Sequence, residues 1–151
     1  MLLREKVAIV VGGGQTPGET IGNGRATAIQ FAREGATVVV ADSDLASAQQ
    51  TAEMIMAEGH SGSAVEADVR QERDISEMVQ QVIDRWQQID ILHNNVGVSI
   101  AGGDARIEDI TTDAFNLLVE INLRGMVLTS KHVLPHMRRA GSGSIINIAS
   151  M

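Results

Sequence analysis

Two features of this sequence have the residue types and spacing to hold a nucleotide. The first is the stretch GGGQTPGETIGNGRATA, residues 12–28, in which Gly18, Gly22 and Gly24 make G-x-x-x-G-x-G. Directly after a strand, such a turn lets backbone approach a pyrophosphate that side chains would hold off. The helix behind it supplies free N–H groups and a partial positive charge. The second is Asp42, at the end of the next apolar run and 18 residues after Gly24. A carboxylate there accepts both ribose hydroxyls of an adenosine and repels a 2′-phosphate, which favours NAD over NADP. Arg25 pulls the other way, since a nearby arginine suits a phosphate. The plainer alternatives are that the glycines only turn the chain and that Asp42 and Asp44 only cap the following helix.

Other chemistry-bearing residues are less constellated. His132 and His136 lie four apart on a helix, a zinc-pair spacing, but no third ligand is apparent. With Lys131, Arg138 and Arg139 around them, they read better as cations near a helix C-terminus. His60 is isolated, and His93 reads as packing at a strand end. Met54, Met56, Met78 and Met126 read as core filler. Glu108 and Asp109 flank a helix start, and Asp104 lies in a glycine-containing loop. No metal site is expected. Near the C-terminus, Ile145 to Ala149 reads as a strand whose tip presents Ser150.

These residues are positioned by an alternation of short apolar runs and longer helical patterns, the signature of βαβ units and a parallel sheet. Strands are expected at Val7–Val11, Thr37–Ala41, Ser63–Ala67, Ile89–Leu92 and Ile145–Ala149. Helices are expected from about Asn23 to Glu34, Asp44 to Glu58, and around Ile75 to Trp86. In the last, Ile75, Met78, Val79, Val82, Ile83 and Trp86 form one apolar face. A long helix runs from Thr111 or Thr112 towards Met137, with Pro135 expected to kink or loosen its last turns. No linker, repeat or low-complexity segment interrupts residues 1–151, which read as one domain or part of one.

The fourth strand reads IDILHNNVG; EINLRG and GSIINIAS follow it. In that order behind a glycine-rich βαβ unit, the chain resembles the short-chain dehydrogenase/reductase family along essentially its whole length. The resemblance implies an α/β fold. Its sheet is doubly wound, parallel and Rossmann-type, of order 3-2-1-4-5, without the family's C-terminal strands. It also implies NAD(P)-dependent hydride transfer with a small carbonyl or alcohol substrate, in a homo-oligomer when full length. The family's glycine segment reads T-G-x-x-x-G-x-G. If Gly12 is the first glycine, Gly22 and Gly24 fall six residues late, at 22 and 24 instead of 16 and 18. If Gly18 is the first, residues 12–17 are inserted. Both alternatives make Gly12, Gly18, Ile21, Gly22, Asn23 and Gly24 candidate cofactor contacts, with Asp42. By the same resemblance, Asp68 and Val69 meet the adenine. Asn94 and Gly97 of Asn-Asn-Val-Gly lie beside the cofactor, Asn122 supports a proton relay, and Ser150 hydrogen-bonds the substrate oxygen.

Composition sets the limits. The net charge of −7 concentrates nothing that would neutralise nucleic acid or an anionic membrane. The absence of cysteine excludes a disulfide framework and fits a reducing, cytoplasmic setting. The start MLLREKVAIVV reads as a first strand and not as a leader, and no apolar run has membrane-spanning length. There is no tyrosine, whereas the family's proton donor is a tyrosine paired with a lysine four residues later. The 151 residues by themselves are therefore expected to be inactive, as the N-terminal part of a longer enzyme. The alternative from another class is a non-catalytic nucleotide-binding or interaction module. A nucleotide-dependent transferase on the same type of sheet is a third reading.

Overall fold

A computed structural model describes residues 1–15, 18 and 20–149. The elements run β1 (Val7–Val11), α1 (Asn23–Arg33), β2 (Thr37–Asp42), α2 (Leu45–Ala57), β3 (Gly62–Glu66), α3 (Glu72–Trp86), β4 (Ile91–Asn94), α4 (Thr112–Val119), α5 (Gly125–Ala140) and β5 (Ser144–Asn147). A 3-10 turn, Ile100–Gly102, precedes α4. A π-turn, Glu120–Arg124, joins α4 to α5 without a break. The strands form one parallel sheet of order β3-β2-β1-β4-β5, as expected.

The continuous apolar character of β1 follows from its place at the centre of this order. Val7, Ile9 and Val11 face one core with Val39, Leu92 and the apolar stripe of α3, and α5 closes that side with Val133 and Met137. Ala8 and Val10 face the other, with Val38, Val40, Ala28 and Ile29 of α1, and Ala48 and Ile55 of α2. A strand covered on both faces has no position left for a polar residue. Each helix returns the chain to the same edge of the sheet. All strand C-termini therefore open on one rim, where ligands of such sheets bind.

Several boundaries shift by one or two residues. The fourth strand is Ile91–Asn94, two residues later than expected, which places His93 inside the strand and not at its end. Its ring packs edge-on against Phe31, with centroids 5.9 Å apart. Pro135 is exposed within α5, and the helix continues to Ala140. Met78 is core, but Met54 and Met56 are 43% and 51% exposed. The buried positions of α2 are Ser47, Ala48, Thr51, Ala52 and Ile55, and the two methionines flank that stripe. The histidine pair separates in function. His132 Nε2 lies 3.0 Å from Glu72. His136 is held below its ordinary pKa by burial and by Arg139, and the basic residues of the last turn of α5 are Arg138 and Arg139.

Candidate functional site

The rim carries a cleft of about 520 Å³. Gly12, Gly22, Asn23 and Gly24 form its floor, Asp42 stands at the end of β2, Asp68 and Val69 follow β3, and Gly97 follows β4. These eight sequence candidates thus meet in one concavity. Gly18 lies exposed on the loop, and Ile21 is exposed outside the cleft lining. Ser150 lies outside the described residues.

The floor is built by backbone packing. Gly12 leaves β1 at φ +75°, a conformation that favours glycine. A Cβ on Gly24 would collide with the carbonyl oxygen of Gly12 and meet Asn95 Nδ2 at 2.8 Å. Gly12 and Gly24 are therefore the touching pair across the long loop. The turn directly after β1 is made by Gly12, and Gly18 lies further along the loop.

Gln15 is fastened to Ser47. The Gln15 N–H donates to Ser47 Oγ at 2.6 Å, and that hydroxyl donates to the Gln15 carbonyl at 3.2 Å. The Gln15 side chain reaches back to accept from the Gly22 N–H at 2.7 Å and to donate to the Thr20 carbonyl at 3.0 Å. Asp42 accepts from the Gly14 N–H at 2.9 Å through Oδ2 and from the Asp44 N–H at 3.1 Å through Oδ1. Asp44 caps α2 by accepting from Ser47 N–H at 3.2 Å. Asp42 therefore both organises the loop and lines the cleft. Arg25 is turned away: Nε donates to Thr51 Oγ1 at 2.9 Å and Nη2 to the Ser47 carbonyl at 3.3 Å.

At the adenine-expected end, Arg70 embraces Asp68. Its Nη2 donates to Oδ2 at 2.6 Å and its backbone N–H to Oδ1 at 2.9 Å. Side-chain hydrogen bonding from Arg70 holds the Asp68 carboxyl below the ordinary range, against the opposing effect of partial burial.

The two asparagines of β4 divide their tasks. Asn94 is buried, accepts from Thr129 Oγ1 at 2.8 Å and donates to Asn147 Oδ1 at 2.8 Å, outside the cleft lining. Asn95 lines the cleft and donates to the Gly12 carbonyl at 3.2 Å. The matched motif includes both asparagines, and of the two only Asn95 is part of the cleft lining. Consecutive residues at a strand end point in opposite directions, so the two do not share one role. Asn122 sits in the π-turn. Its side chain accepts from the Val98 N–H and donates to the Val98 carbonyl, both at 2.8 Å, which pins the loop after β4. A second, mostly apolar hollow of about 490 Å³ includes Asn122, Asp104, Phe115 and Leu118.

The sequence pattern of the short chain dehydrogenase family matches residues 6–151. The uncharacterized oxidoreductase YxbG of Bacillus subtilis (strain 168) is 35% identical over 149 residues, covering 99% of this chain and 51% of that protein. A crystal structure of a short-chain dehydrogenase/reductase from Burkholderia xenovorans superposes with a TM-score of 0.91 at 38% identity, covering 98% of this chain and 57% of that one. A 7α-hydroxysteroid dehydrogenase complexed with NADH and 7-oxo glycochenodeoxycholic acid gives 0.88 at 32% identity, covering 99% and 55%. The chain spans about half the length of the relatives it matches.

Proposed function

The chain belongs to the short-chain dehydrogenase family, and from that premise we propose that residues 1–151 hold NAD for hydride transfer between its nicotinamide and the carbon of a carbonyl or secondary alcohol. The carrying observation is that Asp42 lines the cleft whereas Arg25 does not. Arg25, the arginine of the glycine turn, is bonded to α2. The NADH-bound relative supports the cofactor class.

The residues present fit a dinucleotide. Gly12, Gly22 and Gly24 bring no side chains of their own to the lining of the cleft. The first turn of α1 has no acidic residue to repel a pyrophosphate. Asp42 would take the ribose hydroxyls, and Asp68 and Val69 would border the adenine. When bound, the nicotinamide supplies or accepts the hydride. Asn122 holds the Val98 loop beside Gly97 and supports the relay. Ser150 donates a hydrogen bond to the substrate oxygen. The sequence contains no tyrosine to move the proton, so the 151 residues bind cofactor without turnover. A proton-transferring pair comes from sequence outside them, in a longer, oligomeric, cytoplasmic enzyme.

Titration of the chain with NADH and with NADPH, followed by nicotinamide fluorescence, tests this. NADH binds more tightly, and Asp42→Ala weakens it by at least about tenfold, the loss of one charged hydrogen-bonding partner. Tighter binding of NADPH, or an Asp42→Ala variant that binds NADH unchanged, would sink the assignment. Intact-mass measurement of the protein from its natural source separates the longer enzyme from a binding module of 16.1 kDa.

A further inference from the structure

We infer that Gln15, a residue of the lengthened glycine loop, is a positioning residue for the cofactor's phosphates. It closes the loop while keeping negative charge out of the phosphate position. The inference rests on the dinucleotide reading of the cleft.

The lengthened loop poses a physical problem. Six extra residues between β1 and α1 would leave Gly22, the N-cap of α1, free to wander, and Gly22 has no side chain with which to cap the helix. Gln15 solves it from outside. Its backbone is fastened to α2 through Ser47 Oγ in both directions, at 2.6 and 3.2 Å. Its side chain then spans seven residues to accept from the Gly22 N–H at 2.7 Å. Gly14, the residue before, is seated between Asp42 and Ser47, where a Cβ would lie 2.6 Å from Asp42 Oδ2 and 2.7 Å from Ser47 Oγ. Gln15 therefore starts from a fixed point, and so does the helix start that it holds. Both Gln15 and Gly22 line the cleft.

The chemistry of the clamp is informative. An aspartate or glutamate would be the stronger partner for an N–H at a helix N-terminus, because its charge also meets the helix dipole. Elsewhere this chain uses acids in that place. Asp44 caps α2, Glu72 and Asp74 stand in the first turn of α3, and Asp113 stands in that of α4. At α1 the first turn has no acid, and the outside partner is a neutral carboxamide. A carboxylate at the same point would hold Gly22 equally well and would repel the pyrophosphate. Glutamine keeps the geometry without the repulsion.

Opposite charges placed at position 15 test this. Gln15→Glu preserves an acceptor for Gly22, and Gln15→Lys places a cation there. Binding of NADH, ADP and adenosine is measured by fluorescence and by competition, with thermal unfolding as the check of fold. Gln15→Glu weakens NADH and ADP by about tenfold at low salt, as a like charge near the surface predicts. It leaves adenosine unchanged, and added salt recovers part of the loss. Gln15→Lys tightens ADP relative to adenosine, so the inference is tested even if one variant does not fold. Equal shifts for ADP and adenosine would mean that Gln15 serves only loop stability, and unchanged ADP binding in both variants would remove it from the phosphate site. If the unsubstituted chain binds neither NADH nor ADP, the dinucleotide reading fails and this one with it. Normal NADH binding with charge-insensitive variants overturns this inference alone.

Discussion

Gly24 shows how a single hydrogen atom in place of a side chain shapes the site. Helix propensity favours alanine over glycine by about 1 kcal/mol, so Gly24→Ala would stabilise an isolated α1. In the fold, its methyl would collide with the Gly12 carbonyl oxygen, backbone that cannot swing aside. Overpacking of this kind costs about 1–3 kcal/mol, and the collision outweighs the propensity. Gly24→Ala is expected to lower the midpoint of urea unfolding and to weaken NADH binding. A variant at least as stable as the parent would show that the helix can shift at no cost. Gly97 is the contrasting case: a Cβ there meets only Asn122 Oδ1, at 3.6 Å. Its substitution by alanine tests access to the cleft, not packing.

Among the elements, α5 and β4 are joined by a polar link inside an apolar layer. Thr129, buried on α5, donates to Asn94 Oδ1, and Asn94 donates onward to Asn147 of β5. Thr129→Val keeps the shape but leaves the buried Asn94 oxygen without its donor, a loss of about 1–3 kcal/mol. Thr129→Ser keeps the hydroxyl and is expected to lose far less; equal losses in chemical denaturation would refute the hydrogen-bond account. This division of the two asparagines was not readable from the motif Asn-Asn-Val-Gly. Which one faces the core depends on where β4 ends, and the strand lies two residues later than its apolar run suggests. The π-turn of Glu120–Arg124 was equally hidden, because helical periodicity does not register one widened turn.

For the whole molecule, the buried imidazole of His93 sets an acid limit. Burial holds its pKa below the ordinary value, and its Nδ1 has no hydrogen-bond partner among the described residues. In the unfolded chain the ring takes a proton near pH 6.5, and in the folded chain only at lower pH. Between those values the unfolded state binds more protons, so stability is full above about pH 6.5 and falls as the pH drops below it. His136, shifted in the same direction, adds to that slope. Asp68 and Glu72, held low by Arg70 and by Lys131 and His132, lose their contribution only further down, in the carboxylate range. His93→Leu is expected to flatten the upper part of the profile and leave the lower part in place. An unchanged slope below pH 6.5 would assign it to other groups.

Much of this was fixed by residue order alone. Apolar runs covered on both faces, one-faced helices and glycines after the first strand dictate the parallel sheet and its rim, because period and burial are local properties of the chain. The position of Asp42 at the end of β2 followed in the same way. What only the tertiary structure decided are meetings between distant residues. Gly12 lies against Gly24, Gln15 is fastened to Ser47, Arg25 is bonded to Thr51, and Asn122 is paired with Val98. Each depends on how far α1, α2 and the π-turn sit from the sheet. That distance is set by packing among side chains many residues apart, which no local pattern records.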